Sequence, residues 1–153
     1  MSREKAVGTI FENLCSDESN VMFYAHRKAT FKNWCFDKVR SPCTSEALAK
    51  AGFVYSGNRY EPANAKCVFC LKEMIFEEQD DPWEEHQSHT KGCAFVELGK
   101  LDEKEWTVKD FFFLLAGWIA ARERNKIINE AETFRAAARE IEIMAEKALN
   151  SKH

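Results

Sequence analysis

The sequence lacks several features that would place it in common functional classes. It has no apolar run approaching the roughly 20 residues of a membrane-spanning helix. The first ten residues include Arg3, Glu4 and Lys5 and have no apolar core, so we expect no secretory signal peptide. Basic residues are scattered rather than interleaved with aromatic ones. We therefore expect no direct contact with a membrane or with DNA.

The sequence also lacks an evident catalytic pair. No serine or cysteine has a clear histidine partner for nucleophilic chemistry, and His26 is interpreted as an ordinary helix residue. Without a signal peptide, the six cysteines are expected in a reducing compartment, as thiols or metal ligands. Three of them have no neighbours at ligand spacing: we interpret Cys15 as a tail thiol, and Cys35 and Cys43 as small apolar side chains.

Four other residues have the spacing of a metal site, C-x2-C-x15-H-x6-C: Cys67, Cys70, His86 and Cys93. Three cysteines and one histidine are a ligand set that zinc accepts in closed, structural sites. Because a zinc hydrolase keeps one position open for water, this set predicts one structural Zn2+ and no enzymatic activity. Unrelated thiols and a surface histidine would explain neither the two-residue gap nor the clustering.

The chain has 153 residues, 45% of them hydrophobic, which suits one compact domain with an appendage. We predict a flexible tail over 1–19, a zinc domain over 20–100, and a linker with a long helix over 101–153. Predicted helices cover 21–29, 45–51 (capped by Thr44 and ended by Gly52), a segment after Asp81, and 93–98. Predicted strands cover 53–55, 66–69 and 73–76.

A long helix is predicted after Thr107, where proline is absent and Gly117 is the only glycine. Thr107 and Asp110 resemble a capping box. Apolar residues recur at steps of three and four in two stretches: Val108, Phe111, Leu115 and Trp118, and then Ile127, Ala131, Phe134, Ala138, Ile141, Ala145 and Ala148. A helix of this length cannot cover its apolar stripe on a small domain, so we expect partner helices. The alternative is a frayed helix that folds back on its own domain.

An acidic segment lies between the zinc ligands. From Lys72 to Glu85 there are seven acidic residues and one lysine. Such a segment repels nucleic acid and attracts cationic peptides. The segment is either a rigid surface that binds a peptide or an ordinary solvent-exposed face with no binding role.

Several motifs now resemble one family, the baculoviral inhibitor-of-apoptosis repeat (BIR), and in particular its survivin-like single-repeat members. The motifs are Arg27-x-x-Thr30-Phe31, Ala51-Gly52-Phe53, Cys67-x-x-Cys70, Asp80-Asp81-Pro82-Trp83-x-x-His86 and Cys93. The long helix, with Arg124-Asn125-Lys126-Ile127, extends the resemblance over about residues 20–149. It implies an α+β fold: a small zinc domain with a short three-stranded sheet and surrounding helices, then one long helix. The chain shows no second Cys/His cluster of the kind a RING domain needs.

The resemblance implies that the acidic segment binds a peptide with a free N-terminal alanine. A protonated amine needs carboxylates, and a small apolar pocket selects the methyl group. Asp80 is the first candidate for the amine, with Glu73 or Asp81 as helpers, although Asp81 also suits a helix cap. Trp83 would form the methyl pocket or belong to the core. Met74 and Phe76 would form the apolar side of the groove.

In survivin-like proteins the peptide is a histone tail with a phosphothreonine near its N-terminus. Lys72 and His89 match the residues that contact the phosphate, and Glu61 matches one that faces a basic residue further along. The spacing from Cys70 to His86 is one residue shorter than is usual in the family. We assign the shortening to residues 73–79, beside the groove and away from the zinc ligands.

For the helix, the resemblance implies a bundle with borealin-like and inner-centromere-protein-like helices, which connect the chain to an Aurora-type kinase. The expected interface residues are Leu98, Trp106, Phe111, Trp118, Ile127, Phe134 and Ile141. The surface around Leu98, Trp106 and Phe111 would serve either a homodimer or these partners. The implied function is an adaptor of the chromosomal passenger complex type, nuclear and cytoplasmic, at the centromere, spindle midzone and midbody in mitosis. The alternative is inhibition of caspases or capture of Ala-starting pro-apoptotic peptides.

Overall fold

A computed structural model describes residues 20–150; the predicted tail over 1–19, with Cys15, lies outside them. The elements in chain order are helices α1 (Tyr24–Thr30) and α2 (Ser45–Lys50), strands β1 (Phe53–Tyr55), β2 (Asn64–Cys67) and β3 (Glu73–Ile75), helices α3 (Pro82–His89) and α4 (Ala94–Leu98), a 3-10 turn (Glu103–Glu105) and helix α5 (Val108–Asn150). Within this part of the chain, no helix is both long and apolar enough to cross a bilayer. The predicted α+β architecture is confirmed.

The three strands form one antiparallel sheet in the order β1-β2-β3, with Phe53 opposite Cys67 and Lys66 opposite Glu73. The prediction placed β2 at 66–69, two residues too late. The strand ends at Cys67 because the chain curls there: the Cys67 carbonyl accepts from the Leu71 N–H at 3.0 Å, and the Cys67 N–H donates to the Lys72 carbonyl at 2.8 Å. Residues 67–70 are therefore a knuckle and not a strand.

Helix α2 begins at Ser45 as predicted and ends at Lys50, one residue before the predicted end at Ala51. The Thr44 hydroxyl accepts a hydrogen bond from the Ala47 N–H at 3.1 Å, which caps the helix. Gly52 follows the helix with φ +93, a left-handed conformation that glycine adopts without strain. A Cβ at this position would lie 2.9 Å from the Phe95 ring. Gly52 therefore ends the helix and lets α4 pack closely behind it.

The core is rich in aromatic residues and contains one buried cation. Arg27 is fully buried, donates from Nε to the Ala49 carbonyl at 2.8 Å, and pairs with Glu103 at 3.5 Å. Its guanidinium also lies 5.7 Å from the ring centroids of Phe69 and Phe95. Burial lowers the pKa of Arg27 to about 10, with Glu103 acting in the opposite direction. This residue ties α1 to α2 and to the 3-10 turn.

The two cysteines interpreted as apolar side chains differ in the structure. Cys43 is fully buried, and burial raises its pKa to about 12, so it is an inert core thiol. Cys35 is exposed instead. It lies in the loop after α1, next to the buried Trp34, where the turn directs the side chain outward.

Helix α5 begins with the predicted capping box. The Thr107 N–H donates to Asp110 Oδ2 at 2.8 Å, and the Asp110 N–H donates to the Thr107 hydroxyl at 3.2 Å. A Cβ on Gly117 would lie 2.4 Å from the Cβ of Ala94. This glycine therefore allows α5 to approach α4 closely.

Only the first part of α5 packs on the domain, through Leu114, Leu115, Trp118 and Ala121. The assignment of Trp118 to a partner interface is wrong, because its side chain is 1% exposed within its own chain. From Glu123 to the end of the described helix, every side chain is exposed except Ala138, which is half-buried. The described helix does not fold back on its domain.

Candidate functional site

The four predicted ligands converge between the sheet and helices α3 and α4. Their ligand atoms all lie within 4.8 Å of one another. The Cys67 and Cys93 sulfurs are 4.0 Å apart, and the Cys70 sulfur is 3.7 Å from His86 Nε2. Cys67, His86 and Cys93 are buried, and Cys70 is partly exposed. These four side chains are placed so that they could hold one metal ion.

Neighbouring backbone groups orient these ligands as a metal requires. His86 Nδ1 donates to the Ala51 carbonyl at 2.8 Å, which leaves the Nε2 lone pair directed at the cysteine sulfurs. The Phe69 N–H donates to the Cys67 sulfur at 3.4 Å. The Phe53 ring, 4.7 Å from the imidazole, adds an apolar wall. The donor set therefore fits a structural cation.

Without a metal, the neighbouring side chains of the cluster strongly perturb the pKa values of Cys67, Cys70 and His86. Burial raises the pKa of Cys67, and hydrogen bonds to Cys70 and Cys93 raise it further. Hydrogen bonds from Cys67 and Cys93 lower the pKa of Cys70. Burial disfavours the His86 imidazolium, but its hydrogen bonds to Cys70 and Cys93 outweigh this and raise its pKa to about 9. Three thiolates in this space would repel one another, and a divalent cation removes the repulsion.

The acidic turn before α3 is built by its own carboxylates. Asp81 Oδ1 accepts hydrogen bonds from the Trp83 N–H at 2.9 Å and the Glu84 N–H at 3.0 Å, which confirms its predicted role as helix cap. Asp80 Oδ2 accepts from the Glu77 N–H at 2.7 Å. This tight turn over 77–80 lies at the end of the segment to which we assigned the one-residue shortening. Asp80 stays partly exposed.

The aromatic candidates near this turn differ in exposure. Trp83 is half-buried and meets His86 and Phe95 edge-on, with ring centroids 6.1 Å and 5.8 Å away. Phe76, predicted as a groove wall, is 2% exposed and packs edge-on against Phe53 at 5.1 Å. Phe76 is therefore a core residue, because its side chain points from the end of β3 into the domain.

The remaining peptide candidates lie on the surface around the sheet. Met74 is half-buried on β3, and Glu73, exposed on the same strand, accepts from Asn64 Nδ2 at 3.1 Å. Glu61 is exposed in the turn between β1 and β2, where its N–H donates to Asn58 Oδ1 at 3.1 Å.

The structure brings Lys72 and His89 together on one cavity of about 300 Å³. His89 also lies 3.1 Å from the Glu85 carboxylate on the preceding turn of α3. The same cavity is lined by Lys91 and by Arg124 of the long helix, which the sequence analysis did not single out as site residues. The charged interval around Arg124 was visible in the sequence, but nothing in it indicated proximity to the knuckle.

The expected interface residues outside the core fall into two groups. Leu98, Trp106 and Phe111 are half-buried, and the Phe23 ring lies against two of them, with its centroid 6.5 Å from that of Trp106 and 6.2 Å from that of Phe111. Ile127, Phe134 and Ile141 are 64%, 77% and 68% exposed. The second group has no cover within the described residues.

Comparison with known proteins agrees with this geometry. A family model described as the Inhibitor of Apoptosis domain (BIR) matches residues 27–97. The chain is 50% identical over 97 residues to the baculoviral IAP repeat-containing protein bir-2 of Caenorhabditis elegans, and 45% identical over 96 residues to the chromosomal passenger complex protein bir-1 of the same organism. It is 42% identical over 125 residues to baculoviral IAP repeat-containing protein 5 of Rattus norvegicus.

The matches differ in how much of each protein they cover. The aligned part is 63% of this chain and 32% of bir-2, and 62% of this chain and 59% of bir-1. For the rat protein it is 78% of this chain and 87% of the relative. Of these three alignments, the one with the rat protein covers the largest share of both chains.

Proposed function

Because the chain belongs to the BIR family of inhibitor-of-apoptosis repeats, we propose that it is a non-enzymatic adaptor that binds a phosphorylated histone tail and recruits partner helices. The proposed role is that of a subunit of the chromosomal passenger complex, the complex named in the description of the relative bir-1. In this role the chain connects an Aurora-type kinase to the centromere, and later to the spindle midzone and midbody. Outside mitosis it is divided between nucleus and cytoplasm.

In this proposal the cation between Cys67, Cys70, His86 and Cys93 is one Zn2+. Three sulfurs and one imidazole nitrogen are the donors that zinc takes in tetrahedral structural sites. Four protein ligands complete the coordination, so the ion stabilises the domain and activates no water. The domain around it holds the acidic turn and the sheet edge in fixed relative positions.

The observation that carries the histone-tail proposal is the meeting of Lys72 and His89 at one cavity. Both can donate hydrogen bonds to a phosphate. Asp80 and Glu73 supply carboxylates for the N-terminal amine, and Trp83 supplies an apolar contact for the alanine methyl. Asp81 contributes its charge while it caps α3. Met74 lines the apolar side, and Glu61 faces the more basic part of the tail.

The partner-helix proposal is supported by the two faces of α5. Phe134 follows buried Trp118 by sixteen residues, which turns it about 160° around the helix axis at 3.6 residues per turn. Ile127, Phe134 and Ile141 are spaced by seven, so they share one face. We call this set the exposed seam. It points away from the domain-facing side, which suits borealin-like and inner-centromere-protein-like helices that join α5 in a bundle.

The surface around Leu98, Trp106 and Phe111 offers a second contact. These side chains are half-buried and lie beside the exposed Phe112 and Val108. Apolar patches of this kind mark association surfaces. We propose that the surface forms a homodimer in the free chain and receives the same partner helices in the complex.

The histone-tail proposal is tested by calorimetric titration with two peptides that begin with alanine, one carrying a phosphothreonine near its N-terminus and one unmodified. We expect tighter binding of the phosphorylated peptide. Lys72→Ala should lower the affinity for that peptide alone by about tenfold, because it removes one charge-assisted hydrogen bond. Lys147→Ala, on the exposed end of α5, is the matched control and should change neither affinity.

The same titration separates the alternative function. Capture of Ala-starting pro-apoptotic peptides would use the amine pocket and would not need Lys72 or His89. Equal affinity for both peptides, unchanged in Lys72→Ala, would contradict histone-tail reading and favour that alternative.

A further inference from the structure

We propose that the long helix is itself part of the anion site: Arg124, with Lys91 and Thr90, completes a phosphate-binding cavity together with Lys72 and His89. This inference deepens the proposed function and rests on it for the identity of the ligand. The residues come from three separate segments of the chain, so the cavity exists only where α5 is docked on the domain.

The cavity lies where these three segments meet. Residues 70–72 form one wall at the end of the knuckle, residues 89–92 form a second wall after α3, and α5 forms the third with Ala121, Arg124, Asn125 and Ile128. Its volume of about 300 Å³ is at the lower end of small-ligand sites. A phosphate group and the adjoining backbone of a peptide fit such a space.

The charge around the cavity has one sign. Lys72, Lys91 and Arg124 line it with His89, and no carboxylate does. Among the described residues, none of these three cations takes part in an ion pair. Three positive charges around one space repel one another, and a bound anion replaces this repulsion with attraction. Glu85, which lies 3.1 Å from His89 Nδ1, does not line the cavity.

A buried polar atom gives an independent indication of a ligand. The Thr90 hydroxyl is buried and has no hydrogen-bond partner in the structure, and Thr90 lines the same cavity. Leaving such a hydroxyl unsatisfied is unfavourable, and a phosphate oxygen would accept its hydrogen bond. The combination of an unpaired hydroxyl and three unpaired cations is typical of an anion site.

The position of Arg124 on α5 is firmly held. Two residues earlier, Arg122 donates to the Val68 carbonyl at 3.2 Å and lies 3.6 Å from the Trp118 ring centroid. Ala121, one turn before Asn125, is buried. Arg124 therefore belongs to the last anchored turn of the helix, immediately before the exposed seam begins at Ile127. Tail binding and partner binding thus share one stretch of helix.

The test uses the full chain and the two Ala-starting peptides. We expect Arg124→Gln to weaken the phosphorylated peptide by about tenfold and to leave the unmodified peptide unchanged. Arg124→Lys, which keeps the charge, should recover most of the affinity. Lys91→Gln should have a smaller effect of a few-fold. Arg135→Gln, on the exposed half of the same helix, is the matched control and should change nothing.

A second measurement keeps this inference separate from the histone-tail proposal. Inorganic phosphate is titrated into labelled chain while the amide signals of residues 89–92 and the Arg124 side chain are followed by NMR. If the wild type prefers the phosphopeptide and Arg124→Gln binds it equally well, the inference is overturned and the proposed function stands. If phosphate shifts these signals only when Arg124 is present, the anion site stands even if neither peptide binds. No shift and no phosphopeptide preference would overturn both.

Discussion

The BIR domain and the exposed half of α5 are stabilised in different ways. The domain uses strands of three or four residues and helices of five to eight, too short to be stable alone, and packs them around an aromatic core and a Cys/His cluster that could hold a metal ion. The exposed half of α5 is a single helix whose side chains, apart from half-buried Ala138, are exposed. In the domain a residue's role depends on whether it lies in the core or the Cys/His cluster, and in the helix it depends on which face the residue occupies.

The largest expected effect of a single change comes from the metal site. We expect His86→Ala to unfold the domain at room temperature, because structural zinc contributes roughly 10–16 kcal/mol of apparent binding energy and a domain has only about 5–15 kcal/mol of stability. Near-UV circular dichroism should lose its aromatic signal. His26→Ala, at an exposed position of α1, is the control. A folded His86→Ala domain would remove the metal from our explanation.

A pair of aromatic truncations sharpens the contrast between the two regions. Trp118→Ala should cost about 3–5 kcal/mol in the free energy of unfolding, because its ring is buried between helix and domain. Phe134→Ala should change the stability of the free chain by less than about 0.5 kcal/mol. Urea denaturation measures both.

Phe134→Ala should nevertheless weaken binding to the partner helices, by about 2 kcal/mol or more if it is a central knob of the bundle. Titration with a borealin-like helix measures this. If Phe134→Ala destabilised the free chain as much as Trp118→Ala does, the seam would be covered by its own chain, and the distinction between the two faces would fail.

A steric clash can disrupt the packing of α5 against α4, where the two regions meet. Gly117→Ala places a methyl group 2.4 Å from the Ala94 Cβ, so we expect it to destabilise the chain by about 1–3 kcal/mol. Thermal unfolding with Gly117→Ala alone and together with Ala94→Gly tests the cause, since the second change removes the clashing atom. A double variant no more stable than Gly117→Ala would show that the contact is not the source of the loss.

A smaller effect is expected at the start of α3. Asp81→Ala removes the acceptor of two backbone hydrogen bonds and should cost about 1 kcal/mol. Asp81→Asn should retain most of that stability. The shift in the urea midpoint compares the two variants. An equal loss in both would mean that the charge of Asp81, and not its hydrogen bonds, stabilises the turn.

Features of the fold that depend on local hydrogen bonds could be predicted from the sequence. The caps by Thr44, Asp81 and Thr107 and the left-handed Gly52 all involve neighbours within a few residues. The ligand set could be predicted for the same reason, because Cys67 and Cys70 lie in one tight knuckle and His86 lies on a helix that follows closely in the sequence. The position of β2 could not be predicted, because it depends on how the chain returns from Lys72 to Cys67.

Features that depend on tertiary packing could not be predicted either. Helical periodicity shows that Trp118 belongs to an apolar stripe but not what covers the stripe. Alternation places Phe76 on the same face as Met74, but it does not show that Phe53 covers that face and makes Phe76 a core residue. Arg124 lies 52 residues beyond Lys72 in the sequence, so only the docking of α5 places both on one cavity.

The metal content of the purified chain tests the central claim most directly. We expect one zinc ion per chain by elemental analysis, retained through gel filtration, and lost together with the near-UV aromatic signal when a strong chelator is added. A chain that contains no metal and still gives the aromatic signal of a folded domain would contradict the claim.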